Sequence, residues 1–101
     1  MANINTTLLD GMIDWHKDNE IQTYVDNIEE LILLYAKAVR DNSNIIEGVV
    51  TSEGNPLTLI DAEHLLRQAE HFLVLVYARS GDSKLRRKAI HNMDSIVVLF
   101  P

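Results

Sequence analysis

Residues 21–46 read IQTYVDNIEELILLYAKAVRDNSNII, and apolar side chains recur along them at alternating steps of four and three: Ile21, Val25, Ile28, Ile32, Tyr35, Val39 and, past Asn42, Ile46. That spacing keeps one face of an α-helix apolar. A second row, Tyr24, Leu31, Ala38 and Ile45, runs beside the first. The stripe is therefore wider than a two-stranded coiled-coil seam and suits a bundle in which this helix meets more than one neighbour. Asp18 or Asn19 fits as N-cap, and Asp41-Asn42-Ser43-Asn44 weakens the far end because these side chains compete for backbone hydrogen bonds.

On the N-terminal side, Leu8, Leu9, Met12 and Ile13 predict a short amphipathic helix capped by Asn5, Thr6 or Thr7, with Trp15 just off its stripe. On the other side, Glu47 to Thr58 holds Gly48, Gly54, Asn55 and Pro56 and reads as a long loop, with Val49-Val50-Thr51 able to form a brief extended piece. Thr58 followed by Asp61 resembles a capping box, which starts a helix at Leu59 that runs to about Arg79. Ser80-Gly81 predicts a left-handed stop, and Asp82 or Ser83 caps a last helix whose apolar stripe is Leu85, Ala89, Met93, Ile96, Val97 and Phe100. The short turn makes these two helices antiparallel. The expectation is an all-α four-helix bundle in one helical domain over residues 1–101: a short first helix, a long second helix, a long loop and an antiparallel C-terminal helical hairpin.

The helix from Leu59 carries two stripes. Ala62, Leu65, Leu66, Ala69, Phe72, Leu73, Val76 and Tyr77 form its main face, and alanines along it permit close helix approach. His64, Gln68, His71, Leu75 and Ala78 form a seam on the opposite side. A bundle of this size leaves that seam, with Val74, facing water, which predicts self-association as a homodimer or higher oligomer. Histidines paired across such an interface would make it respond to pH, since imidazole titrates near neutrality.

Composition narrows the function. The chain has 101 residues, 47% of them hydrophobic, a formal charge of −6 and no cysteine. Disulfides, thiolate metal sites and thiol nucleophiles are thereby excluded. The longest apolar run, Phe72 to Ala78, is far short of a membrane span. The N-terminus begins without basic residues and carries Asp10 and Asp14 in its apolar stretch, unlike a secretory signal, so the expected location is cytoplasmic.

Charge is distributed unevenly. Residues 1–78 carry −9 and residues 79–101 carry +3. A net negative chain is a poor general binder of DNA, but Arg79, Ser83, Lys84, Arg86, Arg87 and Lys88 place cations where the helix dipole least favours them. With free N–H groups at Ser83 and Lys84 this corner predicts a site for a phosphate-bearing small ligand or an acidic protein partner. The competing expectation is that the basic tail folds back on the acidic body.

Catalytic groups are not evident. Asp61 with His64, His91 with Asp94, and His16 with Glu20 have helical spacing, yet none is a duplicated Glu-x-x-His set, so no metal is expected. The glycines at 11, 48, 54 and 81 are too scattered for a phosphate-cradling loop, and no cofactor is expected. Ser80 to Ser83 could join two helices of a helix-turn-helix, but Arg87 falls where that motif wants an apolar residue. Arg86 and His91, with four residues between them, resemble the Arg-x(4–6)-His element of HEPN-family ribonucleases and nucleotide-binding modules. That resemblance implies a dimer in which Arg86 stabilises phosphate charge and His91 serves in acid–base chemistry. The match spans six residues, and Arg87 stands where the family often has Asn. The residues themselves point to a small acidic interaction or regulatory protein, with the HEPN-like module as the alternative.

Overall fold

The structure, a computed structural model, describes residues 4–5, 18–51 and 53–100. In chain order its elements are β1 (Ile4–Asn5), α1 (Asp18–Arg40), β2 (Ile45–Val50), β3 (Pro56–Thr58), α2 (Leu59–Arg79) and α3 (Ser83–Leu99). The helix expected over Leu8 to Ile13 lies outside the described residues.

Helix α1 follows the expected stripe except at Val39, which is half exposed. Val25, Ile28 and Leu31 are fully buried, and Tyr24, Ile21, Ile32, Tyr35 and Ala38 nearly so. Its end is sharper than competing side chains alone would make it. Asn42 adopts the left-handed conformation (φ 56°), which its short polar side chain tolerates. The Ser43 N–H then bonds the Ala38 carbonyl (2.8 Å) and the Asn42 N–H bonds the Val39 carbonyl (3.1 Å), the paired closure of a Schellman motif.

The four-helix expectation is corrected here. Ile45–Val50 and Pro56–Thr58, expected within or beside a loop, pair as antiparallel strands, so the described residues comprise three helices and a three-stranded sheet in the order β1-β2-β3. β2 pairs in parallel with β1 and antiparallel with β3. Ile45 and Ile46, which continue the helical spacing of α1, instead pair with Thr58 and Leu57. The register shifts between Ile46 and Val50, where Gly48 takes a positive φ of 86°; a bulge of this kind needs a residue without a Cβ penalty. At the tip, the Thr51 hydroxyl accepts from the N–H groups of Glu53 and Asn55 (3.3 and 3.2 Å). Pro56, unable to donate to a ladder, stands at the start of the edge strand, where it is tolerated. Ile46, Val49 and Leu57 all point into the core. Burial of these three against the helices is what the turn-rich composition does not reveal.

Thr58 caps α2 as expected, its hydroxyl accepting from the Asp61 N–H (3.2 Å). Ala62, Leu66, Ala69, Leu73 and Val76 of α2 are fully buried. The stop at the other end differs from expectation. Ser80 is extended (φ −73°, ψ 136°), Gly81 is not left-handed, and the Ser80 hydroxyl accepts from the Asp82 N–H (3.1 Å). Extended Ser80 ends the helix and leads straight into the next cap.

Helix packing follows from three kinds of contact. Arg86 meets Tyr77 while Arg67 meets Phe100, so α2 and α3 are antiparallel. Tyr24 stacks at a tilt on Phe72 with ring centroids 5.1 Å apart. Tyr35 meets Phe100 edge-on at 5.2 Å, so α1 runs parallel to α3. Their register is fixed by Asn92, which is 1% exposed and whose amide donates to the Val25 carbonyl (3.2 Å). The stripe predicted for α3 included Val97, which is 54% exposed; Asn92 takes the buried position instead. One donor bond to a backbone carbonyl is enough to make the polar side chain acceptable there, and no buried side-chain polar atom among the described residues lacks a partner.

Candidate functional site

Two surfaces carry the predicted site residues. The first is the corner where α2 turns into α3. Its helix N-terminus is not open to an anion, because Asp82 caps α3 and its Oδ1 accepts from the N–H groups of Lys84 (2.9 Å) and Leu85 (3.3 Å). The carboxylate supplies the negative charge that the dipole favours. Ser83 is exposed as the first residue of the helix. Beside the turn, Ile21, Gln22, Arg79, Ser80, Asp82 and Leu85 border a hollow of about 340 Å³. Of the predicted cations only Arg79 lines it, and the Asp82 carboxylate shares it.

The cations of α3 divide into two kinds. Arg86 is folded back on α2: its Nε donates to the Tyr77 carbonyl (3.0 Å) and its guanidinium lies 4.6 Å from the centre of the Tyr77 ring. Lys88 is paired with Asp26 of α1, Nζ to Oδ1 3.1 Å, and this bond, together with the charges of Asp26 and Glu29, raises the lysine above its ordinary range despite the opposing desolvation. The basic tail thus does fold back on the acidic body at Lys88. Lys84 and Arg87 are exposed, and neither side chain has a hydrogen bond or ion pair among the described residues.

The second surface is the outer seam of α2. His64, Gln68, His71, Leu75 and Ala78 are all exposed, directly opposite the buried stripe. Ile60 (72% exposed) and Val74 (53%) extend it. Sequence spacing locates this seam correctly, and the structure supplies Ile60 as a further member at its N-terminal end.

A third feature has no counterpart in the sequence reading. Between α1 and α3, Ile32, Val98 and Leu99 border an open hollow of about 330 Å³, with His91, Asp94 and Ser95 on its rim. Val98 is 78% exposed. Signals for it existed in the stretch Ile96-Val97-Val98-Leu99, which has more apolar residues than one buried stripe can use.

The structure does not bring Arg86 and His91 together within one chain. Arg86 lies on Tyr77 of α2, whereas His91 rims the hollow beside Ile32 of α1; five helical residues turn them about 140° apart. Among the described residues no three His, Cys, Asp or Glu side chains converge, and no helix is long and apolar enough to cross a membrane. In the core, burial raises the Tyr24 phenol far above its ordinary range. Tyr35 is also raised, first by burial and then by the charge of Glu63, with Arg67 opposing. Both side chains serve packing. Comparison with protein-family models, with curated proteins and with solved structures finds no match for this chain.

Proposed function

We propose that this chain is a small helical interaction protein of the cytoplasm that self-associates through the outer seam of α2 and engages an acidic protein partner through the cations at the start of α3. The observation that carries the reading is the exposure of Ile60, Val74 and Leu75 with His64, Gln68, His71 and Ala78 along one side of α2. A continuous half-apolar seam opposite the core is costly to leave in water and suits an isologous interface. At the corner, Asp82 already occupies the helix N-terminus, so contact with a partner falls to the side chains of Lys84 and Arg87 rather than to a backbone phosphate cradle.

Sedimentation equilibrium tests the first part. The wild-type protein is expected at twice its 11.5 kDa chain mass or above, and the Val74→Asp, Leu75→Asp double variant at the monomer mass with unchanged helical circular dichroism. A monomeric wild-type chain at concentrations up to hundreds of micromolar, roughly where weak interfaces still register, overturns the self-association.

A further inference from the structure

We propose that the groove between α1 and α3 receives an acidic amphipathic helix of a partner protein, with its apolar side chains in the hollow at Ile32, Val98 and Leu99 and its carboxylates on Lys84 and Arg87. This deepens the reading above and rests on it for the acidic character of the partner. Lys84, Arg87, His91 and Val98 stand at steps of three, four and seven, so they share one stripe of α3. One end of the stripe carries two exposed cations with no ion pair among the described residues. The other end opens on the apolar hollow. Arg87 and Val98 are separated by about 16 Å along the helix, or three turns.

The shape argues for a helix as the occupant. Two neighbouring parallel helices leave between them a groove of the kind that a third helix fills by ridge packing. Their backbone groups are used within the helices, so a partner strand would find no ladder to extend, and recognition falls to side chains at helical spacing. Charge fixes the orientation. Asp26 is matched by Lys88, while Asp94 stands on the rim of the hollow. Glu29 acts with Asp26 on Lys88. The partner's acids therefore belong at the Lys84 and Arg87 end, and its other end must be apolar and uncharged.

The test is an ¹⁵N–¹H NMR titration of the full chain with a synthetic helix-forming peptide of about 16 residues, matched to the three-turn span, with glutamates confined to one end and leucines on one face of the other, made in both chain directions. Expected are shifts concentrated between Lys84 and Leu99 and around Ile32. Binding should weaken about tenfold in the Lys84→Glu, Arg87→Glu double variant, as two exposed charge contacts would give, and should be lost in Val98→Asp. All three positions are exposed, so these variants keep the fold, which circular dichroism checks. No shifts with either peptide, shifts confined to the outer seam of α2, or equal binding of a peptide with lysines in place of the glutamates overturns the proposal. Concentration-dependent shifts of the same residues without peptide overturn it too, by giving the groove to a second copy. A monomer that binds the peptide removes the self-association alone, and an oligomer that fails to bind it removes the groove alone.

Discussion

The helical hairpin of α2 and α3 and the β-hairpin of β2 and β3 are both short antiparallel returns, yet they are held by different means. The helical one is closed by local bonds, Thr58 to Asp61 at one end and Asp82 to Lys84 and Leu85 at the turn. The strands have bonds of their own at Thr51, but Ile46, Val49 and Leu57 anchor them by reaching into the core, against the flanking helices α1 and α2. A helix announces itself by what repeats within it; a short strand takes its place from what it is packed on.

That contrast can be broken most decisively in the core. Leu73→Ala in α2 and Leu57→Ala in β3 remove side chains with 0% and 2% exposure, and each is expected to cost about 2–5 kcal/mol by urea denaturation. A loss under about 1 kcal/mol for Leu57→Ala, within the range of ordinary surface changes, would make the β-hairpin an appendage rather than a part of the core.

Next in size comes Asn92→Asp. It places a carboxylate against the Val25 carbonyl in a buried site, an expected loss of about 3 kcal/mol at neutral pH. A buried carboxyl has its pKa raised and can donate once protonated, so stability should recover as the pH falls toward 4. A flat pH profile would mean that the side chain turns outward and that α1 and α3 keep their register without it.

The caps are expected to be worth less. Asp82→Ala should cost about 1 kcal/mol and Asp82→Asn much less, since Asn also caps well. Equal losses for both would show that the carboxylate charge, rather than the two N–H bonds, matters at this turn. Smallest of all is Lys88→Met, expected to lower the thermal midpoint only slightly because the pair with Asp26 is partly solvated. Lysine is raised by that bond, so its contribution is complete below the ordinary lysine range, near pH 10.4, and is lost as the pH rises through the higher folded value. Wild type and Lys88→Met should therefore converge only in strong alkali.

Much of the molecule was legible. The stripe of α1 up to Tyr35, both caps of the helical hairpin and the two faces of α2, apart from exposed Tyr77, follow from spacing and from Thr58 and Asp82. The β-hairpin was not, because Ile45 and Ile46 satisfy a helical and a strand period alike, and Gly48, Gly54 and Pro56 mark turns without saying what the residues between them pair with. At the candidate site, spacing picked out the outer seam and the cluster of cations. It could not separate Arg86, bound to Tyr77, and Lys88, bound to Asp26, from Lys84 and Arg87.

The sequence by itself determined the three helices, most of the residues they turn inward, where α1 and α2 end and the division of charge between body and tail. These depend on interactions within a turn or two, where the period of 3.6 residues and the reach of a capping side chain set the outcome. The tertiary structure alone decided the sheet and its register, the burial of Asn92 and the pairing of Lys88, whose partners stand 67 and 62 residues away. It also left the groove beside Val98 open. Such pairings depend on which surfaces meet once chain entropy has been overcome by burial of the whole core, and no local pattern records that choice.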